Sequence, residues 1–131
     1  MKSSLVETSV IIKYLRGEQK TINCLNSFEA ELSSSYVCLA ELYEGISRVK
    51  NPTRVEKAVL NFFAGMSHIY GLNQEIAQKF GQIRAKLKRK GQIIDDLDIL
   101  IAATCLANNL VLITENQKHF KRIEELEIWP K

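Results

Sequence analysis

The amino-acid sequence predicts an α/β protein built as three layers, α/β/α, around a central, mostly parallel sheet of about five strands. Two observations carry this. Short apolar segments alternate along the chain with longer segments whose apolar residues recur at helical spacing. Successive strand segments are also separated by one or two helices, the crossover that parallel neighbours require. Residues 1–131 are expected to form one domain: 46% hydrophobic and 25% charged residues is ordinary globular composition, with enough chain for a sizeable core.

Residues 3–7, SSLVE, read as a strand ending on an acid, and residues 8–16 as a helix with Val10, Ile11, Tyr14 and Leu15 at helical spacing and Gly17 as its stop. A second helix is expected over 20–32, and SSYVCL, residues 34–39, reads as the second strand. The helix AELYEGISRVK, residues 40–50, comes next, with Glu41 in its opening turn. Asn51-Pro52 interrupts the chain and starts another helix through Met66, because proline fits the first helical turn. Residues 67–72 form a short strand, and Asn73 caps a long amphipathic helix over 74–90 that Gly91 closes. The helix over 95–109 is apolar nearly all round and should be buried. LVLIT, residues 110–114, is a fully apolar strand, succeeded by a helical turn near 117–122 and a last strand, LEIW. No repeat, low-complexity run or linker divides the chain.

Composition narrows the function classes. No apolar run reaches the ~18 residues that span a bilayer, so no membrane association is expected. An early lysine without a long apolar stretch or small-residue cleavage site argues against a signal peptide, and the expected location is the cytoplasm. The three cysteines, Cys24, Cys38 and Cys105, are far apart among apolar neighbours and read as buried, reduced thiols. A net charge of +3 permits a nucleic-acid partner without demanding one. The stretch RAKLKRK concentrates Arg84, Lys86, Lys88, Arg89 and Lys90. It is either a solvated helix end, where cations complement the helix dipole, or a contact for a phosphate backbone.

In open parallel sheets, functional residues gather beyond the carboxyl ends of the strands. That selects Glu7, Glu41, and Thr114 to Asn116, with Asp95, Asp96 and Asp98 at the start of the helix leading into the apolar strand. Glu41 alone is explained by the helix dipole. The aspartates are not: capping needs one, and there are three. Asp98, directly before ILIAA, sits at the edge of a buried segment, where a carboxylate needs a partner or a metal. With only His68 and His119 in the chain, a histidine-based metal site is not expected, and His119 reads as a surface or helix-turn residue.

Four stretches, LVETSVIIKYLRG, LAELYEGISR, DILIAATCLANNLVLIT and ENQKHFKRI, together resemble the PIN-domain ribonucleases, most closely the VapC-type toxins of toxin–antitoxin pairs. The family's motifs are a strand ending in an acid before Thr-Asn or Thr-Ser, a Glu with Gly four residues on, an Asp before an apolar run and Ala-Ala, and a strand ending in Thr-x-Asn or Thr-x-Asp with Phe soon after. They correspond to Glu7, Glu41 with Gly45, Asp98, and Thr114 with Asn116 and Phe120, in order from about residue 4 to residue 129. This sequence departs from the pattern at Glu7, where Asp is usual, and carries Asn rather than Asp at 116.

The resemblance implies a PIN-like fold and a Mg²⁺- or Mn²⁺-dependent endoribonuclease. Its ligands would be Glu7, Glu41 and Asp98, with Asn116 completing the site. Thr8, Ser9, Thr114 and one of Asp95 and Asp96, with Asp96 favoured, would steady them from behind. It also implies an RNA substrate, a small antitoxin as partner, and a homodimer, with Leu60, Phe62 and Phe63 as its contact or simply a core face. Hard cations take oxygen ligands, and acids without a cation would repel an RNA backbone, so the residue types suit that chemistry. Two other readings stand beside it. One is an impaired PIN module that binds RNA or a protein without cutting, because of Glu7. The other is a phosphotransfer domain, which would want an acceptor Asp at a strand end where this chain offers Glu7 and Thr114.

Overall fold

The structure is a computed structural model, and it describes residues 2–130. The chain runs β1 (Ser4–Val6), α1 (Thr8–Leu15), α2 (Gln19–Ser27), β2 (Leu32–Ser35), α3 (Tyr36–Ile46), α4 (Pro52–Ala64), β3 (Ile69–Tyr70), α5 (Gln74–Arg89), α6 (Asp96–Asn108), β4 (Val111–Ile113), α7 (Gln117–Phe120) and β5 (Ile128–Trp129). The strands form one five-stranded sheet in the order β3-β2-β1-β4-β5, every neighbouring pair parallel. Helices flank the sheet, so the expected α/β/α architecture is the one observed.

The strand order decides where a site can form. From β1 the chain steps outward to β2 and β3, then returns to place β4 on the other side of β1. The connections therefore leave β1 and β4 in opposite directions, and a crevice opens beyond their carboxyl ends. Register puts Val6 beside Ile113, so Glu7 and Thr114 are the first residues past the paired segment.

Leu5, Val6, Leu112 and Ile113 fill the middle of the sheet and meet Ile99, Ile101 and Ala102 of α6, all essentially inaccessible to solvent. α5 packs along α6, and α3 lies against both α4 and α6. The helix that the sequence marks as apolar all round is thus the buried one. It ends at Asn109, in the left-handed region at φ 54°, whose N–H returns to Cys105 O. Cys38 and Cys105 are buried and Cys24 half-buried, all three as free thiols. Burial pushes the Cys38 thiol up to about 11, outside the range of a reactive thiolate.

The second strand differs from expectation. It occupies Leu32–Ser35, and Tyr36-Val37-Cys38-Leu39 already belongs to α3. Three serines make a poor strand by propensity, yet Ser33, Ser34 and Ser35 are buried in the sheet. The hydroxyls of two find internal partners: Ser34 Oγ donates to Val6 O at 3.0 Å, and Ser35 Oγ accepts from Cys38 N at 3.2 Å. Ser35 is the N-cap of α3, a role a strand assignment for residues 34–39 hides. Glu41 therefore stands in the second turn of α3 rather than opening it. Of the expected dimer contact, Phe63 belongs to the core, Phe62 packs edge-on against Tyr14 at 5.1 Å, and Leu60 is exposed.

Replacing the buried cap, Ser35→Ala, is expected to cost about 1 kcal/mol. In urea unfolding this should appear as a lower midpoint with an unchanged slope. An unchanged midpoint would mean that α3 is held without its cap.

Candidate active site

Glu7 comes directly after β1 and is buried, at 5% exposure. It is the N-cap of α1: Oε2 accepts from Ser9 N at 3.2 Å. Oε1 accepts from Ser9 Oγ at 2.6 Å and from Thr114 Oγ1 at 2.5 Å. The Thr114 bond crosses the crevice between β1 and β4. Ser9 Oγ in turn accepts from Glu115 N at 3.1 Å, and Thr114 Oγ1 from Asn116 N at 2.9 Å. Two hydroxyls thus tie the loop after β4 to the carboxylate after β1.

The next residue, Thr8, reaches the other way, its Oγ1 donating to Glu41 Oε1 at 2.6 Å. α3 supplies Glu41 as a half-buried side chain. α6 supplies Asp98 from its first turn, buried at 8% exposure. His119 Nδ1 lies 3.7 Å from Asp98 Oδ2, beyond hydrogen-bond reach, and 3.0 Å from Asn116 Nδ2. The segment after β4 thus sets Asn116 against His119, and His119 beside Asp98.

These carboxylates feel one another. Burial raises the pKa of Asp98, and the charges of Glu7 and Asp95 raise it further, against a smaller opposing effect of His119. Burial likewise raises Glu41, with Glu7, Asp98 and Asp95 adding to it and the Thr8 hydroxyl opposing. Among the described residues, no lysine or arginine pairs with Glu7, Glu41 or Asp98. The donor set is carboxylates, hydroxyls and an amide, all hard oxygen, which suits Mg²⁺ or Mn²⁺. Among the described residues, no three His, Cys, Asp or Glu side chains converge into a closed cation cage. Hydroxyls hold Glu7 and Glu41 back, so the arrangement fits a partly hydrated ion, the usual habit of Mg²⁺, better than a full protein shell.

The structure brings Glu7, Thr8, Ser9, Glu41, Asp98, Thr114 and Asn116 to one end of the sheet. Two expectations need correction, at Asp96 and at the basic run, while His119 keeps its expected place on an exposed helical turn and gains a neighbour. Asp96 is turned to the surface, where it accepts from Arg84 Nε at 2.9 Å; the acid whose charge reaches the cluster is Asp95, the N-cap of α6. His119 is exposed, as its sequence neighbourhood suggests, yet its ring belongs to the cluster; its place three residues after Asn116 on a helical turn was the available signal. The basic run is largely neutralised. Lys86 pairs with Glu124 and Glu125, Lys90 with Glu124, and Arg84 with Asp96, leaving Lys88 and Arg89 without a pair among the described residues. A smooth track of five cations for a phosphate backbone is not present there.

Comparison with known proteins agrees with this geometry. The PIN domain family profile matches residues 4–126, which takes in all the clustered acids. The chain belongs to the PIN-domain family. It is 36% identical to Ribonuclease VapC1 of Methanocaldococcus jannaschii over 97% of this chain and 87% of that one. It is 26% identical to the tRNA(fMet)-specific endonuclease VapC of Shigella flexneri over 94% and 93%. Among solved structures, VapBC2 from Rickettsia felis bound to a DNA fragment from its promoter aligns with a TM-score of 0.89 and 27% identity over 96% of both chains. The PIN fold and the VapC resemblance read from the motifs are therefore sound.

The raised carboxylates make stability depend on pH. A raised pKa means that the folded chain keeps extra protons, so this contribution is full below the ordinary values of 3.8 for Asp98 and 4.5 for Glu41. It is lost as pH rises through the folded values. In EDTA, Asp98→Asn is expected to raise the urea midpoint at neutral pH while leaving it little changed below pH ~4, where the native carboxyl is already protonated. Equal effects at both pH values would show that Asp98 carries no electrostatic load.

Proposed function

We propose that this chain is a Mg²⁺- or Mn²⁺-dependent endoribonuclease that hydrolyses RNA phosphodiester bonds in the cytoplasm and is held in check by a small antitoxin protein. The observation that carries the reading is the gathering of Glu7, Glu41 and Asp98 at the sheet crevice with no lysine or arginine among the described residues paired to them, in a fold shared with ribonucleases. The antitoxin partner is supported by structural likeness to toxin–antitoxin complexes.

In this reading Asp98 and Glu41 hold the cation directly or through water, Glu7 contributes its less engaged Oε2, and Asn116 adds a neutral oxygen. When bound, the cation offsets charge at the scissile phosphate and acidifies water. The protein's own contribution is placement. Thr8 fixes Glu41, Ser9 and Thr114 fix Glu7, and burial keeps Asp98 from rotating away. Without a bound cation these acids would repel an anionic backbone, so Asp98 and Glu41 would serve the substrate only through the charge they hold.

A second reading, a PIN module that binds RNA or a protein without cutting, is favoured by one feature. Glu7 already accepts three hydrogen bonds, leaving little of its carboxylate for a metal.

One assay separates the two. With Mn²⁺ and structured RNA, the wild-type chain is expected to cleave, EDTA to stop it, and Asp98→Asn and Glu7→Gln each to lose on the order of 10²-fold or more in rate. Wild-type turnover no greater than that of Asp98→Asn would overturn the nuclease reading and favour the binding module.

A further inference from the structure

We propose that an RNA strand leaving the acid cluster crosses the first turn of α6 over Leu97 and sets a phosphate on Lys88 at the end of α5. The proposal rests on the RNA-cleaving reading of the proposed function and names contacts that reading does not use.

Three successive residues of α6 face three ways. At about 100° per residue, Asp96, Leu97 and Asp98 follow one another round the helix. Asp96 faces α5, where it accepts from Arg84 Nε at 2.9 Å. Asp98 is buried on the side of the acid cluster, where it feels the charge of Glu7. Leu97 stands between the two and is 41% exposed. A single exposed leucine is ordinary. This one borders the crevice and has an apolar companion, since Ile93, in the connection from α5 to α6, is 44% exposed.

The far edge of this strip is cationic. α5 reaches α6 through residues 90–95, so the end of one helix lies beside the start of the other. Of the cations there, Arg84 is held by Asp96, Lys86 by Glu124 and Glu125, and Lys90 by Glu124. Lys88 is exposed and has no acidic partner among the described residues. It lies one helical turn, ~6 Å, beyond Arg84 on the same face of α5. Arg89 is unpaired as well, but it sits about 100° further round, away from that face. The charge left over on the Leu97 side is therefore that of Lys88.

A nucleic-acid strand carries both complements: anionic phosphates, and bases whose faces pack on apolar side chains. A free anion would leave Leu97 uncovered, and a purely apolar partner would leave Lys88 unused. The strip also starts at the crevice where the phosphodiester would be cut, so RNA is its occupant.

The test measures binding of a dye-labelled single-stranded RNA by fluorescence anisotropy between 50 and 200 mM salt, on the full chain carrying Asp98→Asn so that the strand stays intact. Added to that background, K88A is expected to flatten the slope of log Kd against log salt by about 0.7, the share of one phosphate contact on a single strand. K86A, and K57A on the distant surface of α4, should leave the slope unchanged. L97S should weaken binding about 3–10-fold at every salt concentration with the slope intact, because the contact it removes is apolar. Urea midpoints confirm that each variant is folded. If K88A keeps the parent slope, if K86A and K57A flatten it as much, or if L97S binds as the parent does, the path is overturned; a protein partner on this face would give the first and last of these together. A parent chain that binds no RNA, with a wild-type chain that cuts none, gives a different signature: the RNA reading itself then fails, and the proposal with it.

Discussion

The hydrogen bond from Thr114 to Glu7 joins residues 107 apart in sequence, and the rest of the site hangs from it. β1 and β4 are neighbours in the sheet, joined by backbone as far as the bond from Glu7 N to Ile113 O at 3.0 Å, after which the chain leaves them in opposite directions. Past that bond a hydroxyl and a carboxylate tie the two segments. Thr114 is almost inaccessible and Glu7 nearly so, which means each polar group needs the other. The same two residues also fix the segments downstream of them: Thr114 Oγ1 takes the N–H of Asn116, and Glu7 caps α1. One short contact therefore sets the start of α1, the segment that leads through Asn116 into α7, and the distance between them.

Hydroxyls solve a problem the acids create. Gathering carboxylates at a partly buried crevice raises their pKa values and opposes folding at neutral pH. Each clustered glutamate here has a hydroxyl partner: Ser9 and Thr114 for Glu7, Thr8 for Glu41. Among the described residues, Asp98 lacks one and has the more distant His119 ring beside it. In the proposed metal-dependent reading it is the carboxylate left for an ion to satisfy. Stability and function would then pull apart at this residue, the expected pattern where a site stores charge that a ligand later neutralises.

Much of this was legible in the sequence. Period and spacing place the strand–helix alternation, and the rule about strand ends picks out Glu7, Thr114 and Asn116 without any family argument. The features that escaped did so for physical reasons. Tyr36-Val37-Cys38-Leu39 reads as a strand because β-branched and aromatic residues favour one, while the serines before it do not; burial and the Ser35 cap override both preferences. Asp95 and Asp96 are adjacent and chemically identical. Only the helix register decides that Asp95 caps while Asp96 turns outward to Arg84. The cations over 84–90 look continuous in sequence because Glu124 and Glu125, far along the chain, are invisible partners until the fold brings them near.

Glu7 shows how one extra carbon changes a site. An aspartate cap reaches the helix N–H groups with little to spare, whereas a glutamate has roughly one more C–C bond, about 1.5 Å. Here that length carries the carboxylate past its own helix N-terminus to Thr114 at the end of β4 while it still accepts from Ser9 N. The added reach converts a local cap into a clasp between two strands. It also draws Oε1 into two short hydrogen bonds, so a cation would compete with hydroxyls for that oxygen and meet Oε2 more readily. A carboxylate so held is stiff, and stiffness favours catalysis only if the held position is the productive one. An aspartate at position 7 would release the clasp and free its oxygens together. Its effects on stability and on metal affinity would then take opposite signs, whereas a residue serving only as a cap would lose stability and leave affinity untouched.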